Sequence, residues 1–298
     1  MKTLNFPATF FDHCLSREFW WVILVIAFLL VEGQSRAAEP EVALPSDWSV
    51  GTAVRYEVVR IKENTRGDQF GRGEVRTPLT LEIIERTKAG YRIALGYGRS
   101  KVIEPKNLNA AQERMVGIAD GLHYVLRTDD AGTPEELVNA AEVSETYRKV
   151  LGEIRKTLEE SGLPEARIKQ SLAMIEPLTR PDRVSATAMK EPNIFFLLTG
   201  ASFVSRRAVE YDDQLANPLT GKPMATRARM VLKVVDREKG EANLEWSQSP
   251  KPGSLPDGVT MTDKSDYIIN LKTGWPRRIS YERVIASGST KRVERIVF

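Results

Sequence analysis

Alternating apolar and polar positions organise the chain from residue 50 onward. Residues 50–62 read VGTAVRYEVVRIK, and their apolar side chains recur at every second position. The same period continues in residues 75–87 and 91–97. This alternation predicts half-buried strands, and the Lys88-Ala89-Gly90 turn between the last two predicts an antiparallel meander.

The pattern changes to a helical period after Asn139. Six apolar residues then fall on one stripe of a helix: Val143, Tyr147, Val150, Leu151, Ile154 and Leu158. We predict Asn139 as the N-cap, with Glu142 completing a capping box, and Gly162 as the end of the helix. Pro164 then opens a second helix, so the pair should form a hairpin within a helical insertion at 139–198.

Two segments around these helices are ambiguous. Residues 107–120 read as a helical turn followed by a glycine break, and 193–200, NIFFLLTG, as either a buried helical turn or a strand. Period-two patterning then resumes to the end of the chain. With about eleven predicted strands, a flat open sheet is disfavoured. We therefore predict a mainly β (α+β) fold, a curved antiparallel sheet or half-barrel in one domain over 50–298, after a leader at 38–49.

The N-terminal region has the pattern of an export signal. Phe19–Val31 is an uncharged run of thirteen apolar residues, shorter than the roughly 20 that span a bilayer. We predict a signal peptide over 1–37, cleaved between Ala37 and Ala38, and a periplasmic or secreted protein. The alternative is an uncleaved inner-membrane anchor formed by Phe19–Val31. Membrane contact is otherwise expected only during export.

Composition excludes several kinds of chemistry. The one cysteine, Cys14, precedes the apolar run, so cleavage leaves no thiol for disulfides or metal binding. A net charge of +3 argues against nucleic-acid binding. The C-terminal stretch 271–298 is richer in Lys and Arg, which indicates either a polyanion surface or, as we favour, solvated strand faces.

No short motif in the sequence predicts catalysis. His123 lies in an alternating segment and reads as an ordinary strand residue rather than a base. Gly200–Val204, GASFV, lacks the last glycine of a nucleophile elbow. Asn217–Pro223, NPLTGKP, has proline where a phosphate loop needs Ser or Thr, so a turn is predicted. We predict no catalytic residue, no cofactor and no metal site.

The acidic stretch Arg127–Leu137, RTDDAGTPEEL, resembles a cation-binding loop at first sight. If Gly132 took the sixth position of an EF-hand loop, Arg127 would stand first and Val138 twelfth, where the metal needs acids. The sequence therefore predicts a tight turn that leads from the first sheet segment into the helices.

Five aromatic residues are spread over the predicted strands: Trp48, Trp246, Trp275, Tyr281 and Phe298. Core packing is favoured over a groove for sugar or lipid. An apolar sheet face partly covered by helices would nevertheless hold a hydrophobic ligand if its own side chains left space.

Four segments resemble those of uncharacterised exported bacterial proteins: DWSVGTAVRYE, TDDAGTPEELVN, NPLTGKP and INLKTGWPRRISYERV. The order of strands, helical insert and strands is also similar to the half-barrels of periplasmic lipoprotein carriers, which implies an acyl-chain ligand. We therefore expect a non-enzymatic envelope protein that binds a hydrophobic or lipid ligand, or an envelope partner. The alternatives are a hydrolase whose carboxylates the fold assembles, and an assembly factor that uses strand edges.

Overall fold

The computed structural model describes residues 41–173 and 175–298. The strands are β1 (Glu41–Ala43), β2 (Ala53–Arg66), β3 (Gln69–Thr87), β4 (Gly90–Tyr97), β5 (Lys101–Glu104), β6 (His123–Thr128), β7 (Pro134–Leu137), β8 (Ser202–Val204), β9 (Ala208–Ala216), β10 (Pro223–Asp236), β11 (Glu241–Pro250), β12 (Val259–Asn270), β13 (Pro276–Ser287) and β14 (Thr290–Val297). The helices are α1 (Ala110–Val116), α2 (Ala140–Glu160), α3 (Glu165–Leu172), α4 (Pro181–Ala188) and α5 (Lys190–Phe195), with 3-10 turns at Gly117–Ala119 and Glu176–Thr179.

Twelve strands form one curved antiparallel sheet, which confirms the predicted fold class. Its order is β7-β6-β4-β3-β2-β14-β13-β12-β11-β10-β9, with β5 paired to β3. The first meander therefore joins the last through β2 and β14, at opposite ends of the domain sequence. The sheet is open, with β7 and β9 at its edges.

One face of the sheet, here called the inner face, packs against the helices. It includes Tyr56, Val58 and Arg60 of β2 and their partners in neighbouring strands, Leu79, Thr77 and Val75 of β3. Alternation within each strand places the apolar residues of the predicted period on this face, because successive side chains point to opposite sides. The predicted strand patterns therefore identify the buried side of the sheet.

The helical hairpin forms as predicted. Helix α2 buries Val143, Tyr147, Ile154 and Leu158, and α3 buries Ile168 and Leu172. The turn between the helices uses Gly162, whose φ of +72° lies in the left-handed region that glycine tolerates. Of the two readings of residues 193–200, the helical one is correct for the first part, since α5 extends to Phe195.

The predicted capping box at Asn139 is wrong. Asn139 is the N-cap of α2 by position, but its side chain makes no capping bond to the helix. Its Oδ1 instead accepts from the backbone N of Val125 at 2.9 Å, and its Nδ2 donates to the carbonyl of His123 at 2.9 Å. Through these two hydrogen bonds to the backbone of β6, the side-chain amide fixes the start of α2 to that strand.

The leader packs onto the domain. β1 pairs with β8, and Leu44 and Trp48 are buried in the core. Pro45 approaches the β12–β13 turn so closely that a Cβ at Gly274 would lie 1.7 Å from the Pro45 carbonyl oxygen. Trp48 is held in place by a hydrogen bond from its Nε1 to the carbonyl of Thr273 at 2.9 Å.

Candidate ligand-binding cavity

A cavity of about 550 Å³ lies between the inner face and the helices. This volume is within the range of roughly 300 to 1,000 Å³ typical of small-molecule sites. Most of its wall is apolar: the strands contribute Val75 and Ile296, and the helical side contributes Met115, Ile118 and Leu178.

Strand register brings the sheet side of the wall together. Arg60 of β2 lies directly opposite Val75 of β3 on one side and Ile296 of β14 on the other. The long β2–β14 pairing thus places residues from both ends of the domain sequence next to one another. Periodicity alone gives each strand's face, but this neighbourhood depends on which strands pair.

The polar floor of the cavity is centred on an ion pair between Arg60 and Glu191 of α5. Nε and Nη2 of Arg60 donate to the two carboxylate oxygens of Glu191 at 2.5 and 2.7 Å. Tyr97 donates its hydroxyl to Glu191 Oε2 at 3.0 Å. Burial lowers the pKa of Arg60, but the Glu191 carboxylate outweighs it and the pKa is raised, so the guanidinium stays charged.

Two tyrosines close another side of the cavity. Tyr124 of β6 and Tyr147 of α2 have their hydroxyls 3.1 Å apart. Burial is the largest cause that raises the pKa of both phenols above 10.0, so both are neutral and can donate or accept a hydrogen bond. The pair links the helical hairpin to the sheet and offers a polar contact inside an apolar wall.

A second ion pair lies at the cavity rim, where Lys190 Nζ is 2.8 Å from Glu294 Oε1. Burial acts to raise the pKa of Glu294, but the charge of Lys190 outweighs it, so the pKa is lowered and the carboxylate is ionised. Lys190 and Glu191 are adjacent on α5, so two ion pairs anchor this short helix to the sheet: α5 supplies the cation in one pair and the anion in the other.

Glu294 belongs to a row of polar side chains that crosses the inner face. The row runs over five neighbouring strands, each residue directly opposite the next: Lys62, Glu294, Arg283, Asp263 and Gln248. Asp263 is 1% exposed and accepts from Arg283 at 2.8 and 2.5 Å and from the Tyr281 hydroxyl at 3.1 Å. The two carboxylates of the row are each paired with a cation, Glu294 with Lys190 and Asp263 with Arg283, which is the condition for keeping such groups buried.

This arrangement favours binding over acid–base catalysis. The two carboxylates that line the cavity, Glu191 and Glu294, both take part in ion pairs. A general acid that works near neutral pH needs a raised pKa, whereas that of Glu294 is lowered. The two carboxylates therefore hold Arg60 and Lys190 in place in the wall of a mostly apolar chamber.

The three candidate motifs of the sequence, His123, GASFV and NPLTGKP, do not line this cavity. His123 is exposed at the start of β6 and Ser202 of GASFV is exposed on β8. Residues 217–223 form the predicted turn, in which Asn217 Oδ1 accepts from the backbone N of Leu219 at 2.9 Å. In the part of the chain that the structure describes, no group of three or more His, Cys, Asp or Glu side chains could hold a metal ion.

Residues 127–137 connect β6 and β7 by a turn, as predicted. Asp129 Oδ1 accepts from the backbone N of Thr133 at 2.7 Å, and Gly132 has a φ of +89°. Arg127 forms ion pairs with both Glu135 and Glu136, so these two adjacent acids reach the same guanidinium although neighbouring residues of a regular strand point to opposite faces. A register shift between Arg127 and Thr128 gives the physical reason, since it breaks the regular alternation.

The five aromatic residues named from the sequence are all buried: Trp48, Trp246, Trp275, Tyr281 and Phe298. Trp48 stacks on Trp275 with ring centroids 4.5 Å apart, and Phe195 and Phe196 of the helical insertion pack beside them. The core interpretation is correct for these residues. They fill one part of the inner face, and the cavity occupies another.

Three of the seven cations in residues 271–298 form ion pairs within the sheet: Arg277, Arg283 and Arg295. Arg277 contacts Glu241 at 2.8 Å, and Arg295 contacts Glu282 at 2.7 Å. Together with Arg283 in the polar row, these contacts favour the reading of 271–298 as charged strand faces.

The predicted cleavage site at Ala37 and Ala38 and the apolar run Phe19–Val31 lie outside the described residues. Within the residues that the structure does describe, no helix is long and apolar enough to cross a membrane.

Arg60, Glu191 and Lys190 were not predicted as site residues from the sequence. A signal for Arg60 was present, because the alternation of β2 places it on the same side as Tyr56 and Val58, where a charge needs a partner. No comparable signal marked Glu191, since α5 is six residues long and follows a polar, proline-flanked segment.

Comparison with known proteins identifies no family for this chain. No protein-family model matches the chain, and no curated protein matches it. Among solved structures, it is similar to one described as showing lipid–protein interactions in lipovitellin, with a TM-score of 0.46 and 9% sequence identity. The match covers 84% of this chain but 25% of that one, so the chain spans about a quarter of its length. A similarity this low assigns neither a family nor a ligand.

Proposed function

We propose that the chain is an exported, non-enzymatic protein of the bacterial envelope that holds a hydrophobic ligand in the cavity beneath the helical insertion. The observation that carries the proposal is the apolar wall of the 550 Å³ chamber, which lies next to the hydrophobic core. When an apolar ligand enters such a chamber, binding is favoured by about 25 cal/mol of free energy for each Å² of apolar surface removed from water.

The polar groups of the chamber support binding of a chain with at least one polar end. The Tyr124 and Tyr147 hydroxyls and the rim residue Lys62 line the same space as the apolar residues. A few placed polar groups within an apolar wall are typical of sites that orient a ligand. Lipid is accordingly the ligand class that we propose.

The sequence supports the envelope location. The apolar run Phe19–Val31 and the small residues around Ala37 have the pattern of a cleaved export signal. We propose a periplasmic or secreted mature chain that begins at Ala38, and its intact mass tests this directly. A chain that retains Met1 would instead support the inner-membrane anchor.

The alternative functions have less support. A hydrolase needs an available acid and base, whereas the two carboxylates of the cavity are engaged with Arg60 and Lys190. Strand addition would use an edge such as β9, but that strand carries Glu210, Asp212 and Asp213, and charge on an edge discourages pairing with another chain.

The test places a bulky side chain in the chamber. Ala119 lines it, so Ala119→Phe should occupy part of the volume and weaken ligand binding at least tenfold, because the ring takes the place of the chain. Ala89→Phe, in the exposed β3–β4 turn, is the matched control and should bind as the unaltered protein does. The measurement is titration with a fluorescent fatty acid, together with mass spectrometry of lipids extracted after mild purification.

Two results would overturn the proposal. One is a protein that carries no lipid after purification and does not bind the fluorescent fatty acid. The other is equal binding by Ala119→Phe and Ala89→Phe, which would place the probe elsewhere on the molecule.

A further inference from the structure

A second, larger cavity of about 830 Å³ opens beside the ligand chamber. We call it the outer chamber, and we call the ligand chamber of 550 Å³ the inner chamber. Its walls come from the β4–β5 connection, β5, the segment that leads into α1, α1 itself and the middle of α2. It is more polar than the inner chamber, because charged side chains occupy much of its wall.

The two chambers are adjacent along the sheet. Ser100 and Val116 line both of them. Val75, in the wall of the inner chamber, lies directly opposite Val102, in the wall of the outer one, where β5 pairs with β3. The two chambers therefore meet at Ser100, Val116 and the paired residues Val75 and Val102.

The charges of the outer chamber are unbalanced. Arg114 is paired with Glu153 at 3.0 Å, and Asp120 Oδ1 accepts from the backbone N of Ser100 at 2.8 Å. Arg99, Lys101 and Lys106 also line the chamber, and within the described residues they take part in no ion pair. Glu113 and Asp120 are the carboxylates of the wall that pair with no cation within the described residues, so the wall carries four cations against three carboxylates.

Resting on the proposed function, we propose that the two chambers form one site for an anionic amphiphile. Its acyl chain lies in the inner chamber, and its phosphate or carboxylate lies in the outer chamber against Arg99, Lys101 and Lys106. A neutral lipid would gain only the apolar contacts, whereas an anionic one also gains the attraction of the excess positive charge in the outer chamber.

The position of the cations argues for a lipid headgroup rather than a free anion. They are exposed, so each alone attracts a small ion weakly in water. A headgroup tethered to a bound chain is held at high effective concentration beside them, which strengthens the same contacts. Contacts of the acyl chain therefore provide most of the affinity, and the cations make binding selective for an anionic headgroup.

The experiment compares lysophosphatidylglycerol with a monoacylglycerol of the same chain length. The full-length exported protein should bind the anionic lipid about tenfold more tightly at low salt, and the preference should shrink at high salt. In the triple variant Arg99→Gln/Lys101→Gln/Lys106→Gln the two affinities should become equal. The matched control, Lys88→Gln/Arg237→Gln/Lys272→Gln, removes the same charge from exposed sites outside both chambers and should keep the preference.

A third arm uses glycerol phosphate alone, which should neither bind at millimolar concentration nor displace lysophosphatidylglycerol. Binding of glycerol phosphate as tightly as the lipid would overturn the inference in favour of a free-anion site. Equal binding of both lipids by the unaltered protein would also overturn it, while the proposed function would stand. Binding of neither lipid would reject the proposed function and the inference with it.

Discussion

The two ends of the inner face are built differently. One end is an aromatic cluster whose rings pack on one another: Trp48, Phe195, Phe196 and Trp275. The other end carries the polar row of Lys62, Glu294, Arg283, Asp263 and Gln248. Both ends belong to the same strands. β13 begins near the aromatic residues at Pro276 and reaches the polar row at Arg283, and β14 passes Glu294 before it ends near Phe298.

The two ends differ in how they are closed. Aromatic side chains fill the first end because α5 and the leader supply large rings that interlock. At the second end the helical insertion reaches the sheet through Lys190 and Glu191, whose charged side chains pair with Glu294 and Arg60 and leave space beside them. The ligand chamber thus lies where packing gives way to ion pairs.

The largest predicted effect breaks the aromatic end. Phe196→Ala should lower the free energy of unfolding by about 3 to 5 kcal/mol, because Phe196 is 1% exposed and its removal leaves a cavity. Chemical denaturation measures this. Phe70→Ala is the control, since Phe70 is 65% exposed and its loss should change stability by less than about 0.5 kcal/mol. Equal effects of the two variants would contradict the packing described for this end.

A smaller loss is expected when the polar row is broken at its most buried member. Asp263→Ala leaves the Arg283 guanidinium without its partner and should cost about 2 to 3 kcal/mol, less than for a fully buried pair because Arg283 is 23% exposed. The double variant Asp263→Leu/Arg283→Met removes both charges and should recover most of that stability. If the double variant is no more stable than the single one, the loss does not arise from an unpaired charge.

The smallest effect concerns pH and the cavity rim. Lys190 lowers the folded-state pKa of Glu294 below 4.5, so the carboxylate contributes stability that is complete above that pH and is lost as the pH falls through the folded pKa. Glu294→Gln should therefore be about 1 kcal/mol less stable at pH 7, and the difference should vanish in acid. Urea denaturation at several pH values measures it.

Glu245→Gln is the control for this prediction. Glu245 pairs with Lys233 at 3.0 Å, but both side chains are more than a third exposed, so the loss should be close to zero at every pH. A difference for Glu294→Gln that persisted unchanged at low pH would show that its charge is not the cause.

The elements that the sequence predicted best are those with long, regular patterns. The alternation in β2, β3 and β4 predicted both the strands and their buried side, and the helical stripe predicted the buried face of α2. These patterns are local, because the periods of strand and helix fix which side chains share a face. The capping role of Asn139 failed because a strand at a distance in sequence competed for its side chain.

The site depended on contacts between distant segments. Arg60 and Glu191 are separated by 131 positions, and Lys190 and Glu294 by 104. Short helices such as α5 have weak patterns, so the sequence placed an insertion there without showing which residues would reach the sheet. Candidate chemistry read from local motifs therefore fell on turns and exposed strands, while the chamber formed elsewhere.

The sequence by itself determined the class of the fold, the helical insertion and the inner face of the strands, since these follow from hydrophobic period and turn chemistry. Tertiary structure alone decided that β14 pairs with β2, which aligns Lys62, Glu294, Arg283, Asp263 and Gln248 and brings Arg60 beside Ile296. The physical reason is that strand order and register are set by the packing of the whole sheet, whereas each period is set by its own backbone.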